Sequence, residues 1–197
     1  MKSFDYDLRY LKAGVEELES YLLSEHLFWS LDAKTEANEP VFPNLTLGNL
    51  LLTEARLKGR HLTLEQEAQL GAVLPKLEQV RSHWRVAWSK KAEHSVQNRL
   101  NMWNNFIDEY TRAPEANADR YPYEVQRRVM LHLLMKEADN LPEAVSELLA
   151  RLDALVKTFI IRGDFIWEAE LKDGFPEDTY WYLYGRLPDE LKQPEDY

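Results

Sequence analysis

The chain of 197 residues contains no cysteine. Disulfides, thiolate nucleophiles, iron–sulfur clusters and cysteine-ligated zinc are therefore excluded, and a reducing compartment suits it. Glycine is scarce, with seven residues and no Gly-x-Gly pair among them. Neither a Walker loop nor a Gly-x-Ser-x-Gly elbow is present, so a phosphate-cradling loop and a hydrolase nucleophile turn have no basis in the sequence. Long apolar runs are also missing; none approaches the ~20 residues needed to span a bilayer. Asp5 and Asp7 interrupt the stretch from Met1 to Arg9, which lacks the basic start and apolar core of a signal peptide. The expectation is a soluble, cytoplasmic protein without a membrane partner.

What is present is 45% apolar and 12% aromatic residues, enough for one domain with its own core and against disorder. The net charge of −10 is unevenly spread. Residues 1–54 carry −6, residues 55–136 carry +5, residues 137–163 carry −2 and residues 164–197 carry −7. A basic middle between acidic ends is expected first to pair internally.

Apolar spacing is helical almost throughout. Phe4, Leu8, Leu11, Val15, Leu18 and Leu22 step by four and three, a period near 3.5 that no strand can follow. Val96, Leu100, Trp103, Ile107 and Tyr110 repeat it, as do Val145, Leu148, Leu152, Leu155 and Phe159. Three such seams imply long helices packed nearly antiparallel. The first helix should stop by about Ala33, before the Pro-containing loop 36–45. Thr46 should cap a helix ending before Gly59, and Thr63 with Gln66 forms a capping box. From Lys76 to Ala113 there is neither Gly nor Pro; a single helix there would be ~57 Å long, and whether it is continuous is left open by the weak helix formers Ser95, Asn98, Asn101, Asn104 and Asn105, the places for a kink. A further helix is read from Tyr123 to about Ala138. Asn140 with Glu143 should then cap one ending near Arg162, and the remainder is short pieces broken by Gly and Pro as far as Pro194. Arg162, Gly163 and Asp164 read as a helix stop and the next N-cap. Acid-before-base pairs four apart (Glu54/Lys58, Asp108/Arg112, Glu124/Arg128, Glu147/Arg151, Asp153/Lys157, Glu168/Lys172) mark solvated helix faces.

Tests for enzyme chemistry return little. Glu65 is the only acid spaced three or four residues from any of the five histidines, and His61 and Glu65 straddle the Thr63 cap. Glu16 and Glu19 have the spacing of a Mg²⁺-binding pair, but no matching motif follows on a later helix. No metal and no cofactor is assigned. Two constellations stand out. One interleaves Arg81, Trp84, Arg85, Trp88, Lys90 and Lys91, with Arg81, Arg85 and Trp88 on one helical stripe. That stripe either binds an anionic partner, with the indole stacking, or pairs with the protein's own acids. The other gathers Phe165, Trp167, Phe175, Tyr180, Trp181, Tyr182 and Tyr184 among acids, either a flap closing the bundle or a docking surface. Arg127 and His132 lie on an otherwise apolar helix and point to a buried network or a small ligand pocket.

The expected fold is all-α, a single-domain antiparallel bundle of about six to eight helices, with residues 1–163 as core and 164–197 as an acidic, aromatic appendage packed on it. The leading functional expectation is a non-enzymatic protein-interaction or scaffold protein, with a protein partner or self-association. The binding residues would be Arg81, Arg85, Trp88, Lys91, Trp167, Tyr180, Trp181 and Tyr184. Alternatives are a small-ligand-binding or metal-dependent hydrolase bundle, and a nucleic-acid-associated factor using the Arg/Trp strip or an acidic DNA mimic.

Overall fold

The computed structural model describes residues 3–191. The expected break at Pro194 and the end of the appendage, like Met1 and Lys2, lie outside the described residues. The fold is all-α. Helix α1 runs Phe4–Leu23, α2 Leu47–Lys58, α3 Leu64–Gly71, α4 Leu74–His83 and α5 Arg85–Arg112. Single turns α6 (Pro114–Asn117) and α7 (Tyr121–Glu124) lead to α8 (Gln126–Met135) and α9 (Glu143–Phe159). Strand β1 (Ile161–Phe165), the turn α10 (Glu177–Tyr180) and strand β2 (Tyr184–Arg186) complete it.

The seam of α1 is buried at all six positions, and that of α5 at all five. Each such side chain contributes ~1.5–3 kcal/mol of burial at most. Helix α5 is the axis of the molecule: α8 packs along it most extensively, with α9, α2 and α1 around it. No described helix is long and apolar enough to cross a membrane.

Caps fall where side chains can satisfy orphan amides. Thr46 accepts from the Asn49 amide and Gly59 closes α2; the Thr63/Gln66 box opens α3.

Several expectations need correction. Helix α1 ends at Leu23 rather than near Ala33, because the following chain is drawn away by a bridge between Trp29 and Leu45. The 76–113 segment is two helices, and the break is at Trp84 (φ −104°, ψ 31°) rather than among the asparagines. Hydrogen bonds from the Trp84 amide to Val80 and from the Trp88 amide to Trp84 persist across it, so the chain bends without fraying. Val125 likewise separates α7 from α8, which ends at Met135. The Asn140/Glu143 box does not form, since Pro142 occupies the N-cap. Helix α9 buries Val145, Leu149, Leu152 and Val156, leaving Leu155 40% exposed.

Beyond Phe159 the chain turns extended. Arg162, Gly163 and Asp164 sit in β1, which pairs antiparallel with β2 through Ile161–Arg186 and Arg162–Gly185. This strand crosses the boundary expected at residue 163. Leu171, Phe175, Tyr182 and Leu183, from the stretch beyond it, are fully buried. The stretch docks on α2 through direct backbone contact: a Cβ on Gly59 would stand 2.9 Å from the Gly174 Cα, and one on Gly174 would overlap the Gly59 Cα. Of the six acid-before-base pairs, Glu54/Lys58 closes as a salt bridge of 2.5 Å. Asp153 and Glu168 instead reach Arg128 and Arg56 on other helices.

Candidate functional site

The basic strip folds inward. Glu137, just past the end of α8 and 7% exposed, accepts from Arg81, from Arg85 at 3.4 Å and from the Trp88 indole N–H at 3.0 Å. Arg85 also donates to Asp139 at 2.6 Å. Hydrogen bonds from Ser89 and then Arg85 hold that Asp139 carboxyl below its usual range. The Arg81 guanidinium lies 5.4 Å from the centre of the buried Trp88 ring. Lys91 donates to the Ser24 and His26 carbonyls at 2.7 and 2.9 Å, with its ammonium 4.6 Å from the Tyr21 ring. Burial lowers the Lys91 pKa. These four residues thus fasten α4 and α5 to the α8–α9 connection and to the chain after α1.

The C-terminal aromatics form a layer against the bundle. Tyr180 and Tyr184 are buried, and the Tyr184 hydroxyl donates to the Phe175 carbonyl at 2.8 Å. Phe175 meets Trp167 and Tyr180 edge-on at 5.3 and 5.0 Å. Trp167 and Trp181 are half-buried. The Trp167 indole donates to the Pro122 carbonyl at 3.1 Å, and the Lys157 ammonium lies 4.8 Å from the Trp181 ring. His132 packs against Tyr180 at 5.1 Å. Desolvation, and then the Lys136 and Arg128 charges, push its pKa down to about 4.

Internal pairing of the charged segments is extensive. Asp7 Oδ2 accepts from Arg56 Nε at 3.1 Å and from Arg60 at 3.3 Å. Arg56 continues to Glu168 at 3.4 Å, and Arg60 to Glu170. Both arginines belong to the basic middle, and their acids come from both acidic ends.

One cation stands apart. Arg99, on the buried side of α5 and 8% exposed, donates to the Thr46 hydroxyl at 3.2 Å and points at the Met102 sulfur at 3.7 Å. It forms no ion pair among the described residues. Desolvation lowers its pKa, and the neighbouring Arg127 charge lowers it further; the groups opposing them are Tyr10, Tyr21 and Tyr123, with no carboxylate among them. Arg127 pairs with the buried Glu124, which also takes Arg120 at 3.1 Å. Arg120 has a second acid in Glu109 at 2.7 Å, whereas Arg99 has no ion pair among the described residues.

Arg99 and Arg127 line a cavity of about 260 Å³. The loop after α1 supplies Phe28 and Asn44, α2 supplies Asn49, α7 Tyr123 and α8 Gln126. A second cavity of about 220 Å³ adjoins it, sharing Pro43, Asn49 and Gln126 and extending to Thr53, Trp167 and Glu168. The walls come from α2, α5, α7 and α8, from the loop after α1 and from the segment carrying Trp167 and Glu168. Tyr10 and Asn49 both bond to the Asn44 carbonyl, at 3.2 and 2.9 Å, fixing the loop over α2. Tyr21 ties the same loop down, donating to the Leu27 carbonyl and accepting from the Leu47 amide, each at 3.2 Å.

Arg127, singled out from the sequence, lines this cleft, whereas His132 belongs to the Tyr180 contact. Sequence reasoning missed Arg99. A signal existed: it sits three after Val96 and four before Trp103, on the seam side, with Ser95, Val96, Met102 and Trp103 at its helical neighbours. An arginine on a buried face without an acid at helical spacing needs a partner from elsewhere. No family model, no curated protein and no solved structure matches this chain.

Proposed function

We propose that the chain is a non-enzymatic binding protein whose recognition site is the cleft between α2, α5 and α8, taking a small polar ligand. The observation that carries this reading is the pair of adjoining cavities roofed by the loop after α1 and lined by convergent polar side chains from separate helices. Such a lining orients a ligand. The protein-interaction or scaffold role keeps one observation in its favour: Phe28 and Tyr123, at the same cleft, are 46% and 67% exposed. A cytoplasmic location belongs to the same proposal and is supported by the cysteine-free composition.

The test is thermal unfolding of the full chain against a panel of small molecules: sugars, amino acids, carboxylates, nucleotides and phosphate esters. Gln126→Trp, filling the wall shared by the two cavities, is the blocked control. A ligand that raises the midpoint of the native protein but not of the blocked variant supports the reading. If no panel member does so, or if both proteins respond equally, the cleft is not the site.

A further inference from the structure

We infer that the Arg99/Arg127 chamber of the cleft is an oxyanion subsite, built to hold the phosphate of a small phosphate monoester. This rests on the binding reading above and names the ligand class for it.

The physical case begins with Arg99. Arg99 is 8% exposed and forms no ion pair among the described residues, an expensive arrangement for a cation. Its recorded hydrogen bonds go to one hydroxyl and one thioether, leaving most of its five donors without a strong acceptor. A second guanidinium, Arg127, lines the same chamber. Arg127 has Glu124, and Arg120 has Glu109 as well as Glu124, so the local positive excess is the charge of Arg99, which an entering anion relieves.

The chemistry favours phosphate over carboxylate through geometry: two guanidinium groups line one chamber, and a phosphate monoester presents three terminal oxygens to them where a carboxylate presents two. Arginine forks suit the oxygens of a phosphate as paired, parallel donors. Asn49, in the first turn of α2, lines the same chamber. Neutral donors are at hand in the Asn49 and Gln126 side-chain amides. The ester's organic body extends past Gln126 into the adjoining cavity, where Thr53 and Glu168 can accept hydrogen bonds from hydroxyl groups and Trp167 forms a wall.

The experiment titrates inorganic phosphate and glycerol phosphate into the full chain at fixed ionic strength. Chloride, acetate and succinate are the comparison arms, and thermal midpoint is the readout. At a ligand concentration 100 times Kd the expected rise is about 5–10 °C. Arg127→Gln should weaken binding at least tenfold, through loss of charge-assisted hydrogen bonds worth ~1.5–3 kcal/mol. Arg99→Met should abolish the rise while leaving the ligand-free midpoint equal to or above that of the native protein, because it removes an uncompensated charge and keeps the apolar stem. Arg85→Gln, outside the cleft, should respond to phosphate as the native protein does.

Stabilisation by the two phosphates that depends on Arg127 and Arg99 supports the subsite. Stabilisation by acetate and succinate alone, or by a neutral panel ligand blocked by Gln126→Trp, overturns it while the binding reading stands. An equal response in all variants shows a salt effect and overturns it too. No response to any ligand overturns both. An Arg99→Met chain that does not fold shows Arg99 held for the fold and overturns the subsite as well.

Discussion

Replacing Asp7 by asparagine should cost the protein about 2–3 kcal/mol. The Asp7 side chain is 2% exposed and lies between Arg56 and Arg60, whose side chains are 11% and 5% exposed. Removing one partner of a buried ion pair typically costs 3–5 kcal/mol, because the remaining charge keeps its desolvation penalty. Two features reduce that figure here. The amide oxygen of asparagine still accepts one hydrogen bond, and each arginine retains a second acid in Glu168 or Glu170, the latter 49% exposed and already solvated. For a chain of this length the loss corresponds to roughly 5–10 °C in midpoint. Urea denaturation measures it directly: the midpoint should fall with an unchanged slope. Repeating the substitution in an Arg60→Gln background should recover at least about 1 kcal/mol as coupling energy. A loss below ~0.5 kcal/mol, or strict additivity of the two changes, would refute the claim that this network fastens both ends of the chain to α2.

Other expectations follow from the same packing. Tyr21→Phe leaves the buried Leu47 amide and the Leu27 carbonyl without their shared hydroxyl; a loss of about 1–3 kcal/mol is expected by urea denaturation. Gly174→Ala forces the tail off α2 and should lower the thermal midpoint by more than an alanine at Gly163, whose added Cβ would meet no neighbour. His132, with its pKa depressed to about 4, contributes stability that is present above its unfolded value near 6.5 and is lost as pH falls toward 4. A pH series should show about 1–2 kcal/mol of such loss, absent in His132→Phe. Ending the chain after Gly163 removes buried Leu171, Phe175, Tyr182 and Leu183, and the shortened chain should show no cooperative unfolding transition.

The parts legible in the sequence are those decided by local spacing. Phe4 to Leu22 and Val96 to Tyr110 are unbroken seams, and their burial follows from period alone. Thr46, Gly59 and the Thr63/Gln66 pair act within three or four residues, so their caps could be read directly. Features decided by distant contacts could not. Ser24 closes α1 locally, its hydroxyl donating to the Tyr21 carbonyl at 2.8 Å, but distant contacts place the chain beyond it; the Ser24 and His26 carbonyls are claimed by Lys91, sixty-odd residues away. The bend at Trp84 has no glycine or proline, yet Arg81 and Arg85 on its two sides reach the same Glu137. The β1–β2 pairing joins residues 19 to 25 apart in sequence and has no local period. The Arg/Trp strip was visible as a cluster, but its acids, Glu137 and Asp139, come from the α8–α9 connection. The cleft was partly visible through Arg127. Arg99 was hidden by its place beside a seam, where a long side chain looks like the edge of a solvated face.

The account turns on Arg99 being held for a ligand instead of for the fold, and one quantity tests this: the gain in unfolding free energy on adding phosphate, native protein against Arg99→Met, in matched buffers. The account predicts a gain in the native protein that disappears in the variant, with the variant at least as stable when no phosphate is present. A variant destabilised by more than ~2 kcal/mol without phosphate, or one that gains as much from phosphate as the native protein, would contradict it.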